Sequence, residues 1–457
     1  MEKPIFENQP ISSLANAIIN WRKSETPSEI QYQVKLAILD TMGVALAARS
    51  LPDVRKLVSL YSNFKSGNNH IWWHDNKVSP LDAAFLNAYA SHRLDLDSIL
   101  YGTYGHPAIM ILPALFTFYD ILEMSGADLI NATLIGVETM TLLGESFGLN
   151  LKENGFHPTP ILGGLATTAS IGWLLNFSEL QMQNALSVTS ATGIGFKSSF
   201  GSVVKPFQVA TATRDSLASA LLIDEHIDLS LENKWLDNLA LLSGKKGIDR
   251  KVKEFGKPWV LEQYTFMFKY YPCCGYFHHT INELERIFQK TERDCTDLCK
   301  IKLFLPNYIK EASIYDKPQN FNESQFSMPF NIALVFAYGE ARIEHFTEEQ
   351  VYNPLILSIM DLIDIEYLED KACISEDERF EGHVILCFSD GNKIQDKLIL
   401  SDNGMGADLE RLTEKFLQCA KPSLTEVQSA AFLEWVMNLE KTDASDWRNL
   451  QSILKLN

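Results

Sequence analysis

Between about residue 10 and residue 240, apolar side chains recur at intervals of three and four with only short interruptions, as in EIQYQVKLAILDTMGVALAA and DLINATLIGVETMTLLGESFG. That period puts an apolar stripe on each of a series of helices, which must bury those stripes against one another. Gly, Pro, Asn or Asp punctuates the breaks. Several of the helices are rich in small residues, notably ILGGLATTASIGWLL and VATATRDSLASALL, so their backbones can approach closely. This half of the chain reads as an all-helical bundle.

The pattern changes after a basic, glycine-containing connector, GKKGIDRKVKEFGKPW (244–259). YTFMFKYY, CKIKLFLP and the pair HVILCFSD and NKIQDKLIL, joined through Asp390-Gly391, have the alternation of strands and a hairpin. Helical periodicity lies between them near 276–290 and 328–338, and it returns at 405–418, 424–439 and 446–455. The expected fold is mainly α. A large all-helical domain is formed by both chain ends (1–261 and 403–457), with a smaller α+β lid domain inserted at 262–402. No repeat of solenoid length interrupts this plan.

At 457 residues with 46% hydrophobic side chains, the chain is long enough for a sizeable core without disulfide staples. Forty Lys and Arg against 58 Asp and Glu give a net charge of -18, spread along the chain, which repels polyanions; nucleic acid and anionic membranes are poor partners. A chain of this charge that acts on an anion needs a local cluster of Lys, His or Arg. The start, MEKPIFENQP, lacks the basic head and apolar stretch of a secretory signal, and PAIMILPALFTF is too short to span a bilayer and is broken by Pro113. Seven cysteines, with Cys273 and Cys274 adjacent, fit a reducing, cytoplasmic location better than a disulfide framework. No Cys-x-x-Cys occurs and Cys295-x-x-x-Cys299 stands alone, which argues against a zinc ribbon or an iron–sulfur cluster and so against an aconitase-like cluster enzyme.

Titratable residues stand in unusual settings at four places. In HRLDLDSILYGTYGHPAIMILPAL, His92, Asp95 and Asp97 end one helical pattern, a Gly- and Tyr-rich loop containing Tyr101 follows, and His106 precedes Pro107 and a new helix. The ordinary reading is that Asp97 or Ser98 caps a helix and that a loop histidine is solvated. In NGFHPTPILGGLATTAS, His157 stands before a helix of small residues, where exposed backbone N–H groups lower an imidazole's pKa and favour an anion. In GFKSSFGSVVKPFQVATATRDS, Lys205 opens a helix, with Lys197 upstream and Arg214 downstream. A cation there opposes the helix dipole, unless it is only a snorkelling surface lysine. In FKYYPCCGYFHHTINEL, Lys269 lies among aromatics, where desolvation lowers an ammonium pKa, and Cys273 or Cys274 precedes a helix carrying His278 and His279. Buried, inert cysteines are commoner than activated ones. FSMPFNIALVFAYG, with no ionisable group before Tyr338, reads as core.

Together and in this order, these five stretches resemble the MmgE/PrpD family, which includes 2-methylcitrate dehydratase, cis-aconitate decarboxylase and iminodisuccinate epimerase. HRLDLDS is similar to the family's His-x-Leu-Asp-aromatic-Asp-Asp stretch, GHPAIMILPAL to its His-Pro-Ser helix start, and GFHPTPILGGLATTA to its Gly-Trp-His-x-Thr segment. GSVVKPFQVATATRDSLASALL is similar to its Gly-Ser-x-x-Lys helix, and KYYPCCGYFHHTINEL to its Lys-x-Tyr-Pro-x-Cys segment. The resemblance implies a cytoplasmic homodimer whose active site lies between helical body and lid and needs no cofactor or metal. It implies catalytic roles for Asp95, His106, His157, Lys205 and Lys269. Two positions depart from the family's decarboxylases: Ile99 stands where they have Thr, and Phe330 where they have Tyr. Cys274 aligns with a position that varies between His and Cys. Ile99, Tyr101, Cys274 and Phe330 are the candidates for lining the substrate pocket.

The chemistry that follows is proton transfer on a small di- or tricarboxylate, best an aconitate-like acid, through an enolate-like intermediate. Lys205 and Lys269 would bind carboxylates, His106 and His157 exchange protons, and Asp95 orient an imidazole. A dehydratase must protonate a departing hydroxyl. Loss of two hydroxyls therefore ranks cis/trans-aconitate isomerisation or cis-aconitate decarboxylation to itaconate above methylcitrate dehydration, with iminodisuccinate epimerisation as a further alternative. Two other readings are a metal-dependent hydrolase built on His92, Asp95, Asp97 and His106, and a catalytically inactive relative marked by Ile99 and Phe330.

Overall fold

The computed structural model describes residues 9–21, 26–63, 67–119, 122–225, 235–245, 247–248, 252–368, 381–400 and 405–453. The chain is mainly α-helical and divides into two units. The first unit comprises 1–199, 204–268 and 407–457, and the second 200–203 and 269–406. Parts of the 244–259 connector lie outside the described residues.

In the first unit the helix starts carry the expected caps. Ser79 accepts from Asp82 N–H before helix Pro80–Arg93, and Ser125 with Asp128 forms a capping box before Gly126–Leu143. Ser178 with Gln181 does the same before Glu179–Thr192. Each such cap is worth about 1 kcal/mol. The small residues act at close approaches. A Cβ on Gly136 would meet Ser170 Oγ at 2.4 Å, and one on Gly163 would meet Met110 Cγ at 2.8 Å. These glycines let Gly126–Leu143, Pro158–Leu174 and Ala108–Leu115 pack backbone to backbone.

The chain's end returns to this unit. Helix Leu409–Ala420 packs on Ser28–Ala48, with Phe416 over Gly43. Trp435 and Trp447 meet Phe116 and Tyr119 in one aromatic cluster, with ring centroids 4.9 to 6.4 Å apart. The unit also holds two short antiparallel pairs that helical periodicity does not announce. Strands β1 (Asn69–Ile71) and β2 (His74–Val78) form one, and β3 (Ile99–Leu100) and β4 (Phe266–Met267) the other. Of the expected strand YTFMFKYY, only these last two residues are extended and paired.

The second unit is built on a sheet of β5 (Leu298–Pro306), β6 (Ile363–Leu368), β7 (Glu381–Phe388) and β8 (Lys393–Ile399), in the order β6-β5-β7-β8. β5 runs parallel to β6, and β7 antiparallel to both β5 and β8. The β7–β8 turn uses Gly391 at a φ of 86°, a conformation glycine adopts without strain. Val384, Leu386 and Phe388 alternate into the core; helix His278–Gln289 packs against β8, and helix Met328–Tyr338 packs on that helix and on Pro354–Met360. The described cysteines are free thiols. Among the described residues no helix is long and apolar enough to cross a membrane.

Candidate active site

Helix Pro80–Arg93 brings His92 into the interior, and Leu94 and Asp95 end it. Asp95 has a φ of 50°, left-handed for a non-glycine residue, which costs about 1 kcal/mol and is best tolerated by Asp or Asn. The turn it makes directs two carboxylates inward; Asp95 is 3% exposed and Asp97 fully buried. Burying two carboxylates within three residues requires cationic or N–H partners, and both have them.

Lys205 sits in the first turn of helix Val204–Asp224 and is 6% exposed. Its ammonium donates to Asp95 Oδ1 at 2.5 Å and to His92 Nε2 at 2.9 Å. The cation that opposes the helix dipole is thus offset by a carboxylate from another helix's end. Because Lys205 donates to Nε2, the His92 proton is on Nδ1, which donates to Asp97 at 3.0 and 3.1 Å. His106 Nδ1 lies 2.7 Å from Asp97 Oδ2, and its ring meets that of His92 edge to face at 4.7 Å. The His106 contact is an ion-pair distance with poor hydrogen-bond alignment. One carboxylate therefore faces the Nδ1 atoms of two imidazoles, and their basic position is Nε2.

His157 precedes Pro158–Leu174 and stacks 6.3 Å from His92. Its Nδ1 is 3.4 Å from Gln208 Oε1. That oxygen also accepts from Phe196 N–H at 3.1 Å and from the Ser199 hydroxyl at 3.2 Å, so it is the carbonyl end of the amide, and His157 also carries its proton on Nδ1.

Burial lowers the His92 pKa to about 4, with Lys205 and His106 reinforcing and Asp97 opposing. Burial, then Lys205 and the neighbouring imidazoles, holds His157 well below its ordinary value. Burial would raise the Asp97 carboxyl, but His92 and His106 outweigh it and hold the group well below the usual carboxylate range. His157 is neutral near pH 7, so it contributes basicity and hydrogen bonding; the lowering expected at a helix start is present, with burial as its leading cause. One expectation changes. The carboxylate against the imidazoles is Asp97, while Asp95 reaches His92 only through Lys205.

Of the remaining candidates in this unit, Ile99 pairs with Met267, and Tyr101 is 48% exposed on the loop before His106. That loop is ordered by Thr103, whose hydroxyl donates to Leu100 O at 2.7 Å and accepts from Gly105 N–H at 3.1 Å. Arg214 pairs with the adjacent Asp215 at 3.0 Å, and Lys197 begins a short 3₁₀ turn. Lys269, Cys274 and Phe330 belong to the second unit. Lys269 is 1% exposed, Cys274 leads into a 3₁₀ turn before His278–Gln289, and Phe330 is fully buried in Met328–Tyr338. Among the described residues, the His, Cys, Asp and Glu side chains grouped closely enough to hold one cation are His92, Asp97 and His106, whose ligand atoms lie within 4.8 Å of one another; Asp95 is not among them. Their 2.7 to 3.1 Å separations are those of direct contacts, and the Lys205 ammonium beside His92 opposes a second cation.

Asp97, His92 and Gln208 complete the constellation. The signals for them were slight: the His-x-x-Asp-x-Asp spacing, and Gln208 one turn after Lys205.

Comparison with known proteins agrees with the motif pattern. The MmgE/PrpD N-terminal domain matches residues 12–227 and the MmgE/PrpD C-terminal domain residues 271–441. A protein described as cis-aconitate decarboxylase from Homo sapiens is 25% identical over 468 aligned positions, covering 97% of this chain and 94% of its own. Two from Aspergillus terreus with the same description are 26% and 23% identical, covering 87% and 86% of each chain respectively.

Proposed function

The chain belongs to the MmgE/PrpD family, and from that premise we propose that it is an acid–base enzyme acting on an aconitate-like tricarboxylate with its own side chains. The observation that carries this reading is the Asp97–His106 contact beside the Lys205–Asp95 pair, with His92 and His157 held neutral around it. A carbon acid next to a carboxylate needs a base near neutrality, a donor for the developing enolate, and a counter-charge for the spectator carboxylates. His106, oriented by Asp97, exchanges the proton through Nε2. Lys205 supplies positive charge for a substrate carboxylate and for the intermediate, and His157 returns the proton or hydrogen-bonds the acid. Lys269 is assigned to carboxylate binding on the family resemblance alone, and Lys269→Met is expected to raise KM.

Two outcomes share this chemistry. Decarboxylation of cis-aconitate releases carbon dioxide and needs protonation of the carbanion left behind. It is supported by the descriptions of the relatives. Isomerisation to trans-aconitate needs only removal and return of a proton. It is supported by Ile99 and Phe330, which put hydrocarbon where the decarboxylase pattern has hydroxyls. Incubation with cis-aconitate followed by proton NMR separates them: itaconate identifies a decarboxylase, trans-aconitate an isomerase. Unchanged cis-aconitate would overturn the reading. A stoichiometric metal in the purified protein would return attention to His92, Asp97 and His106 as ligands.

A further inference from the structure

A second buried ion pair lies outside this chemistry. Asp40, on helix Ser28–Ala48, contacts Lys415, on helix Leu409–Ala420, and the two are 2% and 4% exposed. Burying two charges is costly, and apolar replacements of similar volume are often as stable or more so. Stability alone is thus a weak reason for the pair. Both members have another partner on one short turn. Lys415 Nζ donates to Leu96 O at 2.8 Å, and Asp40 Oδ2 accepts from Ser98 N–H at 2.9 Å. Leu96 and Ser98 flank Asp97, and Asp95 just before them holds a left-handed φ. The pair grips the chain on both sides of the carboxylate that faces the two imidazoles.

We infer that Asp40 and Lys415 are positioning residues, which fix the 94–98 turn so that Asp97 reaches both His92 and His106 while Asp95 reaches Lys205. They act through Asp97 and do not meet the reacting atoms. The contacts at stake are 2.5 to 3.1 Å long, so a shift of about 1 Å would break them. The Asp40 carboxyl is raised by burial, with Lys415 opposing, and the Asp97 charge adds to the rise, as expected of neighbouring carboxylates. The inference deepens the reading of the site given above and rests on that reading for its effect on activity.

Lys415→Met alone leaves Asp40 unpaired and risks unfolding. The informative protein is the full chain carrying Asp40→Asn and Lys415→Met together, which removes both charges and keeps an oxygen to accept from Ser98 N–H. Nitrogen-15 NMR of the histidine side chains, recorded without substrate, reads the Nδ1–H tautomers of His92 and His106. The expected result is a folded double variant whose His92 and His106 signals are displaced from wild type. Its kcat on cis-aconitate falls by about 10- to 100-fold with KM nearly unchanged. Lys415→Arg alone, which keeps a cation and a donor to Leu96 O, retains the wild-type spectrum and most of the activity. A folded double variant with wild-type histidine signals would overturn the inference. Should cis-aconitate not be a substrate, the histidine spectrum still decides the matter, so the two failures are distinguishable.

Discussion

His92 and His106 turn their Nδ1 atoms to one buried carboxylate, so Asp97 governs which nitrogen of each ring is basic. An amide in its place presents one oxygen and one NH₂, and the NH₂ face forces an opposite tautomer on one ring. Asp97→Asn is therefore expected to lower kcat by about 10²- to 10⁴-fold with little change in KM, measured by steady-state kinetics on cis-aconitate. His106→Gln should fall in the same range. A variant with wild-type kcat would remove Asp97 from the account. At this scale sequence reading reached the residues that break a local rule: His106 and His157 before proline, Lys205 as a cation at a helix start, and Asp95 at a helix end. It named His92 and Asp97 but gave them only helix-capping and metal-ligand readings, because an acid and an imidazole near a helix terminus look ordinary. Their significance comes from Lys205, more than a hundred residues away in the chain.

The loop that leads to His106 is shaped by the element it lies against. Helix Gly126–Leu143 continues into a π-helical turn, Gly144–Gly148, of a kind often found near functional sites. A Cβ on Gly144 would sit 2.1 Å from Gly102 O, and one on Gly148 would sit 2.4 Å from the Tyr104 ring. Backbone cannot yield as a flexible side chain does, so Gly144→Ala is expected to destabilise the fold by about 1–3 kcal/mol and to reduce activity by displacing the 101–105 loop. Urea unfolding checks the first effect. An unchanged midpoint with full activity would show that the loop tolerates the push. Capped helices and the Asp390-Gly391 hairpin were readable because their signals are local. Strands β1, β2 and β6 were not: β1 and β2 are only three and five residues long and are joined through Trp72-Trp73, which is no turn signature, while the pairing of β6 is set by the distant β5. GESFG carries no signature of a π turn.

For the molecule as a whole, the buried imidazoles make stability depend on pH. An unfolded histidine titrates near 6.5, whereas folded His92 is lowered to about 4. As pH falls between these values, the unfolded chain binds a proton that the folded chain refuses, so His92 subtracts stability there, and His157 acts with the same sign. His92→Gln removes one such proton. Its stability deficit against wild type should shrink by about 1 kcal/mol per pH unit from pH 6.5 to 5, measured by urea unfolding; a constant deficit would mean that folded His92 takes up its proton over the same range as the unfolded residue. The division into a helical unit closed by both chain ends and a second α+β unit was legible in hydrophobic period alone. The assignment of residues 200–203 to the second unit was not, since nothing in FGSV sets it apart. The central claim is that side chains of the first unit move hydrogen to and from carbon of an aconitate-like acid. Incubation with cis-aconitate in deuterated water, followed by NMR, tests it most directly. The account predicts deuterium on a carbon of the product, itaconate or trans-aconitate, at a rate that collapses in His106→Gln. Product that carries only the original hydrogen, or a His106→Gln protein that exchanges as fast as wild type, would contradict it.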